Sequence, residues 1–295
     1  MMKDIFDPWG PYVPIWNTIF AVLSVVAVSI DPLFLYILVL DETKKCLSTD
    51  HQLKIIALAS RSVTDVACIL QTLFQIRATY LAEASGVSKK GGLVLSTSYW
   101  ETARRIRRSY ILIDILAILP LPQVLVSIYF SNMGDFRSLT TSKFVNFLLY
   151  IQYVPRVLRI YLACEKVKRT PGAHSRIVFF NGVLNVSLYI VASHVFGALW
   201  YFFAIQQETA CWHHACEKQI GCIPDSFDCR SNTSANLTFL SSFCSINSPD
   251  ATTFDYGIYA DAIHSGILTR TTSFLQKFVR CFWWGLRNHS PFAWL

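Results

Sequence analysis

Residues Phe144–Cys164 read FVNFLLYIQYVPRVLRIYLAC. A helix needs about 20 mostly apolar residues to cross a bilayer. This stretch supplies that length and holds two charges, Arg156 and Arg159. Three residues apart, the two fall on one helical face. A charge at bilayer depth costs about 2.5–3.5 kcal/mol on insertion scales, so it marks a functional candidate by default. The stretch is therefore read as a membrane span with a basic face.

The whole chain agrees with that solvent. It has 295 residues, 53% hydrophobic and 14% aromatic, with a mean hydropathy of +0.39 and only 15% charged residues. Soluble domains carry about 25%. A soluble globular enzyme, a disordered chain and a nucleic-acid arm are thereby disfavoured, and the lipid bilayer becomes the expected partner. Four more stretches have crossing length: Ile15–Leu40, Ile55–Ile76, Tyr110–Phe130 and Ile177–Ile205. Phe278–Leu295 is shorter and aromatic, and reads as a partial or re-entrant helix. No cleavable leader is visible in MMKDIFDPWGPYVP.

Loop charges set the expected orientation. The second-to-third connection carries Arg77, Lys89, Lys90 and the run Arg104-Arg105-Ile106-Arg107-Arg108; the fourth-to-fifth carries Lys166, Lys168, Arg169 and Arg176. Gln206–Thr272 is acidic. The positive-inside rule then places the N-terminus in the cytoplasm and the long last loop outside, so the net charge of +7 is a topology signal and no sign of nucleic acid. The outer loop holds Cys211, Cys216, Cys222, Cys229 and Cys244, with N-x-[ST] sequons at Asn232 and Asn236. Disulfides and glycans both belong on that side. Five cysteines allow two bridges and one remaining thiol, with the pairing open. Cys211, His213, His214, Cys216 and Cys222 are read as part of this framework and not as a metal site.

Charges inside the spans form a pattern. Asp65 on the second and Asp114 on the third face the bases Arg156 and Arg159 of the fourth, and Arg61 and Asp65 stand at i, i+4 on one helix. This is the layout of a voltage-sensor-like four-helix bundle. Gly86–Gly92 (GVSKKGG) lacks the ending of a phosphate loop, and neither HExxH nor GxSxG occurs, so no enzyme and no cofactor are expected.

Several long motifs carry a family resemblance. DPWGPYVPIWNTIF and VSIDPLFLY near the start, YILIDILAILPLPQ, QYVPRVLRIY, ASHVFGALWY and KFVRCFWWGLRN resemble the membrane domain of plant cyclic nucleotide-gated channels. The match runs from about Asp7 to Asn288. The resemblance implies an all-α membrane protein and a cation-transporting subunit of a tetramer, at the plasma membrane or an endomembrane such as the vacuole. It also implies that Phe282-Trp283-Trp284-Gly285 opens a pore helix. The implied division is a cytoplasmic N-terminus (1–14), a four-span bundle (15–164), a cytoplasmic linker (165–176), a fifth span (177–205), an outer loop (206–276) and a pore-helix start (277–295).

Filter, sixth span, cyclic nucleotide site and calmodulin site are not found within these residues. The expectation is a chain that does not conduct by itself. The other reading is a regulator that assembles with full-length channel subunits.

Overall fold

An Asp-Pro pair ends the first apolar helix. Helix α1, Val13–Ile30, passes at Asp31-Pro32 into a 3-10 turn, Asp31–Tyr36, because proline lacks the amide that an α-helix would use there. The computed structural model describes residues 13–84, 111–119, 153–164, 174–219, 238–244 and 254–289, with single positions 124, 167, 222, 227 and 229. After the turn come β1 (Leu38–Asp41), β2 (Cys46–Thr49) and α2 (His51–Ala84). Next are α3 (Ile111–Ile118), α4 (153–164) and α5 (His174–Lys218). Short α6 (Thr238–Phe243) and α7 (Ala260–His264) precede α8 (Phe274–His289).

Among the described residues two helical stretches are long and apolar enough to cross a membrane, Ile15–Tyr36 and Gly182–Lys218. Sequence reading expects five. Helix α2 has the length, with 34 residues, but is interrupted by Lys54, Arg61 and Asp65. The third and fourth stretches are only partly described. The arginine run 104–108, the GVSKKGG loop and both sequons lie outside the described residues.

The chain divides into two compact units. The first is drawn from Met1–Ile30, Ala59–Leu121 and Val145–Ser187. Its burial pattern is inverted relative to a water-soluble bundle. Val63, Val66 and Leu73 on α2 and Val154, Val157 and Tyr161 on α4 are exposed, while Arg61, Arg156 and Arg159 are buried. Contiguous apolar faces turned outward with charges turned inward need an apolar surrounding. This is independent support for a membrane protein.

The second unit is drawn from Asp31–Leu58, Pro122–Phe144 and Leu188–Leu295. It contains the one departure from an all-helical chain among the described residues, the antiparallel hairpin β1–β2, with Leu38 opposite Thr49 and Asp41 opposite Cys46. Asp41 builds the turn. Its carboxylate accepts hydrogen bonds from the Thr43 hydroxyl (2.6 Å) and from the amides of Thr43 and Lys44. These donors, the Thr43 hydroxyl first, hold the Asp41 carboxyl below its usual range. Lys45 closes the turn in the left-handed region, φ 48°.

Other segments fasten the hairpin. The Leu40 amide donates to the Leu268 carbonyl (2.8 Å), and the Arg270 amide donates back to Leu40 (3.0 Å). The Tyr201 hydroxyl of α5 donates to the Leu38 carbonyl at 2.8 Å. Tyr36, Ile37, Leu38, Tyr201, Ile205 and Trp212 are almost fully buried and form the core.

Three disulfides fix this unit: Cys46–Cys229, Cys211–Cys244 and Cys216–Cys222. The expectation of two bridges and one leftover thiol is corrected here. The sixth partner is Cys46, which sits on β2, far away in sequence but bonded to Cys229 of the cysteine-rich segment. Cys68, Cys164 and Cys281 remain as buried thiols. Digestion without reduction should yield these three cross-linked peptide pairs by mass spectrometry. Cys46→Ser should expose Cys229 to alkylation and lower stability by about 2–5 kcal/mol. Recovery of alkylated Cys46 from the unreduced, folded chain would refute the pairing.

Candidate functional site

The arginine site of the first unit begins with two prolines. Pro120 and Pro122 follow α3, and a helix ends at or before the residue preceding a proline. Helix α3 accordingly stops at Ile118. Its last carbonyls are left without intrahelical donors and carry the negative end of the helix dipole. The Ala117 carbonyl meets two guanidinium groups: Arg61 donates through Nη2 and Arg156 through Nε, each at 3.4 Å. One short helix end thus ties α2 to α4.

Helix α2 answers with a polar stripe. Arg61, Asp65, Cys68, Gln71 and Thr72 recur at helical spacing. Arg61 Nη2 pairs with the Asp65 carboxylate at 2.8 Å, the i, i+4 pair read from sequence. Arg159 Nη2 donates to Gln71 Oε1 at 2.6 Å, short enough for a strong charge-assisted bond. Ser24, Ala27 and Val28 of α1 join Arg61, Cys68, Ala117, Arg156 and Arg159 around a cavity of about 10 Å³, the size of one water molecule.

Of the four residues singled out in these spans, the structure brings Asp65, Arg156 and Arg159 into this region. Asp114 lies on α3, one turn before Ala117, and its side chain is outside the described ones. Sequence reasoning missed Gln71 and the Ala117 carbonyl. Gln71 was legible as a member of the polar stripe. A backbone acceptor is not visible as a residue type, although the LPLP motif that creates it is. Gln71→Leu should remove the acceptor of a buried guanidinium and cost about 1.5–3 kcal/mol. Thermal unfolding of the purified chain in detergent measures it, and an unchanged midpoint would count against this contact.

A second feature, inside the other unit, is the crossing of α5 and α8. A Cβ on Gly197 would collide with the Cys281 carbonyl, and one on Gly285 with the Ser193 carbonyl. Backbone lies against backbone at both points. Trp200 and Trp284 stack across the crossing with centroids 4.7 Å apart and planes 8° from parallel. The Tyr189 hydroxyl reaches the Leu286 carbonyl at 3.4 Å. The four residues read as a pore-helix start therefore divide their tasks. Gly285 and Trp284 pack on α5, Phe282 stacks on Phe278, and Trp283 stands 64% exposed. Near the start of α8, Lys277 is buried with its ammonium 6.0 Å from the Tyr201 ring centre.

The chain is 42% identical over 287 residues to "Cyclic nucleotide-gated ion channel 1" of Arabidopsis thaliana, covering 97% of this chain and 40% of that one. It is 39% identical over 292 residues to "Probable cyclic nucleotide-gated ion channel 10" and 37% over 290 residues to "Probable cyclic nucleotide-gated ion channel 3", both from the same plant. Those alignments cover 98% and 97% of this chain and 41% of each relative. Its curated homologues are plant cyclic nucleotide-gated ion channels.

They are channels and not enzymes. The chain spans about 40% of the length of these relatives. No family model matches, and no solved structure matches significantly. Among the described residues no cluster of His, Cys, Asp or Glu could hold a metal ion.

The glycine crossing gives a direct expectation for these channel-like residues. Gly285→Ala should cost at or above the upper part of the range of about 1–3 kcal/mol usual for overpacking, because the atom it strikes is backbone. Gly182→Ala is the control, since nothing lies within 4 Å of that position. Equal unfolding midpoints for the two variants would rule out the close crossing.

Proposed function

We propose that these residues form the membrane region of a cation channel subunit of the cyclic nucleotide-gated type. In this reading, 15–164 is a voltage-sensor-like four-helix bundle and 177–205 the fifth span. The segment 206–276 is a disulfide-bonded outer loop, with glycans at Asn232 and Asn236, and 277–295 is the start of the pore helix. The N-terminus is cytoplasmic, the chain multi-pass, and the plasma membrane its site. The observation that carries this reading is the buried guanidinium set of Arg61, Arg156 and Arg159 beneath outward-turned apolar faces. Sequence similarity to channels over 97% of the chain supports it.

Two arginines on α4 set the scale of any voltage response. A charge crossing the full field contributes about 2.3 kcal/mol per 100 mV. With two charges in each subunit, the dependence is shallow. Partners follow from the same reading: the bilayer, and intact channel subunits with which the chain assembles.

Expressed by themselves in cells of low background conductance, the 295 residues should give no cation current. Substituted for the aligned region of "Cyclic nucleotide-gated ion channel 1", they should support one. Neutralising Arg156 and Arg159 together in that chimera should flatten its voltage dependence. A chimera that reaches the cell surface and stays silent would overturn the assignment, as would a selective current from the short chain alone.

A further inference from the structure

The small cavity of the first unit is lined by charge of one sign. Arg61 of α2 and Arg156 and Arg159 of α4 all reach its wall, and among the described residues no carboxylate does. The three arginines are between 2% and 6% exposed.

Their contacts leave that charge in excess. Arg61 pairs with the Asp65 carboxylate at 2.8 Å. The Gln71 amide and the Ala117 carbonyl are neutral acceptors. The end of α3 adds only the partial negative charge of a helix dipole. Counting Asp114 of α3 as well, three positive charges face two negative ones. A buried charge in excess is costly until a counter-charge joins it.

The size of the cavity limits what that counter-charge is. About 10 Å³ admits one body the size of a water molecule. Phosphate, sulfate and a lipid headgroup are too large, whereas a halide ion is comparable in size to water. The lining then separates the halide from water. A water molecule must donate as well as accept. The Ala117 carbonyl on the wall already takes an N–H from each of two guanidiniums. The Ser24 hydroxyl spends its proton on the Phe20 carbonyl at 2.9 Å, which leaves its oxygen as the other acceptor. A halide only accepts. The wall offers it guanidinium groups and the thiol of Cys68, a weak donor. Ala27 and Val28 add apolar surface from α1, and a low local dielectric strengthens the attraction between opposite charges.

We propose that this cavity binds one monatomic anion, with chloride as its probe, among Arg61, Arg156 and Arg159. The ion supplies the full negative charge that the neutral acceptors of α4 lack. Binding rests on the geometry of the first unit alone, and its effect on a voltage response rests on the channel reading above. In that reading the ion holds the arginines of α4 in place, so a chimera bathed in chloride needs a stronger field to respond than one bathed in gluconate.

The purified chain in lipid nanodiscs tests the site, with chloride exchanged for gluconate at constant ionic strength so that screening is equal. Gluconate is too large for the cavity. The unfolding midpoint should rise with chloride by a few degrees and stay level in gluconate, because a ligand that binds only the folded state stabilises it. The chain should also broaden the chlorine-35 magnetic resonance line of chloride. Ala27→Val, which fills the cavity from α1, should abolish both effects. Should that variant fail to fold, Cys68→Leu fills the same space from α2. Gly182→Ala, with nothing within 4 Å, should keep both effects. Equal midpoints and line widths in the two salts would overturn the site and leave the cavity to water. A chloride effect that survives in a folded cavity-filling variant would overturn it too, by placing the ion elsewhere. A silent channel chimera alongside chloride binding would sink the functional reading and leave the anion site standing.

Discussion

A guanidinium group away from water must have acceptors, and the first unit is organised by that requirement. Leaving a buried guanidinium without its hydrogen-bond acceptor costs about 1.5–3 kcal/mol, as much as fully burying a Leu or Val side chain supplies. Three arginines there are between 2% and 6% exposed. Their acceptors come from two stretches of chain: the Asp65 carboxylate and the Gln71 amide on α2, and the Ala117 carbonyl on α3. The acceptors fix the rotation of α2 and α4. Turning α4 by one residue, about 100°, would carry Arg156 off Ala117 and set Val157 in its place. The apolar faces are then assigned without further choice, since the residues left outside are Val154, Val157 and Tyr161.

The second unit solves a different problem by different means. Its helices approach until backbone touches backbone, which only glycine permits at Gly197 and Gly285. Close approach brings little hydrophobic area per residue, so order must come from elsewhere. The tryptophan pair supplies part of it, and aromatic stacking is worth about 0.5–1.5 kcal/mol beyond its area. Covalent closure supplies more. The Cys46–Cys229 bridge spans 183 positions, and a loop of that length removes more denatured-state entropy than a short one in the chain-entropy account. The hairpin is the device that allows this bridge, because it carries Cys46 to the segment where the other disulfides lie.

Features set by local spacing were legible in the sequence. The Arg61–Asp65 pair needs only i, i+4 spacing. The separation of Arg156 from Arg159 places both on one face. The cysteine cluster pointed to disulfides. What stayed hidden depends on contacts between distant segments. Cys46 sits among unremarkable residues and finds its partner only through the β1–β2 register. The hairpin was lost inside a long apolar run, since Leu38–Leu40 extends span one in hydropathy and its pairing partner, Cys46–Thr49, is too short to show a period. Acids are the partners that residue types offer to the arginines, whereas a helix broken by proline offers a carbonyl, which is a weaker acceptor but a fixed one.

On the voltage-sensor-like reading proposed above, the fixed acceptors also bear on what α4 would do in a membrane field. Arg61 belongs to α2 and pairs within that helix, so a sliding α4 leaves it behind. The charge that α4 itself carries is two. Moving both across the whole field at 100 mV is worth about 4.6 kcal/mol. Releasing Arg156 from Ala117 and Arg159 from Gln71 costs about 1.5–3 kcal/mol each if no new acceptor is met. The two totals overlap. A field of physiological size therefore barely suffices to break both contacts unaided. A helix with more arginines would have an acceptor waiting for each as the one ahead moved on. With two charges, the acceptors hold α4 in place about as strongly as the field can pull it.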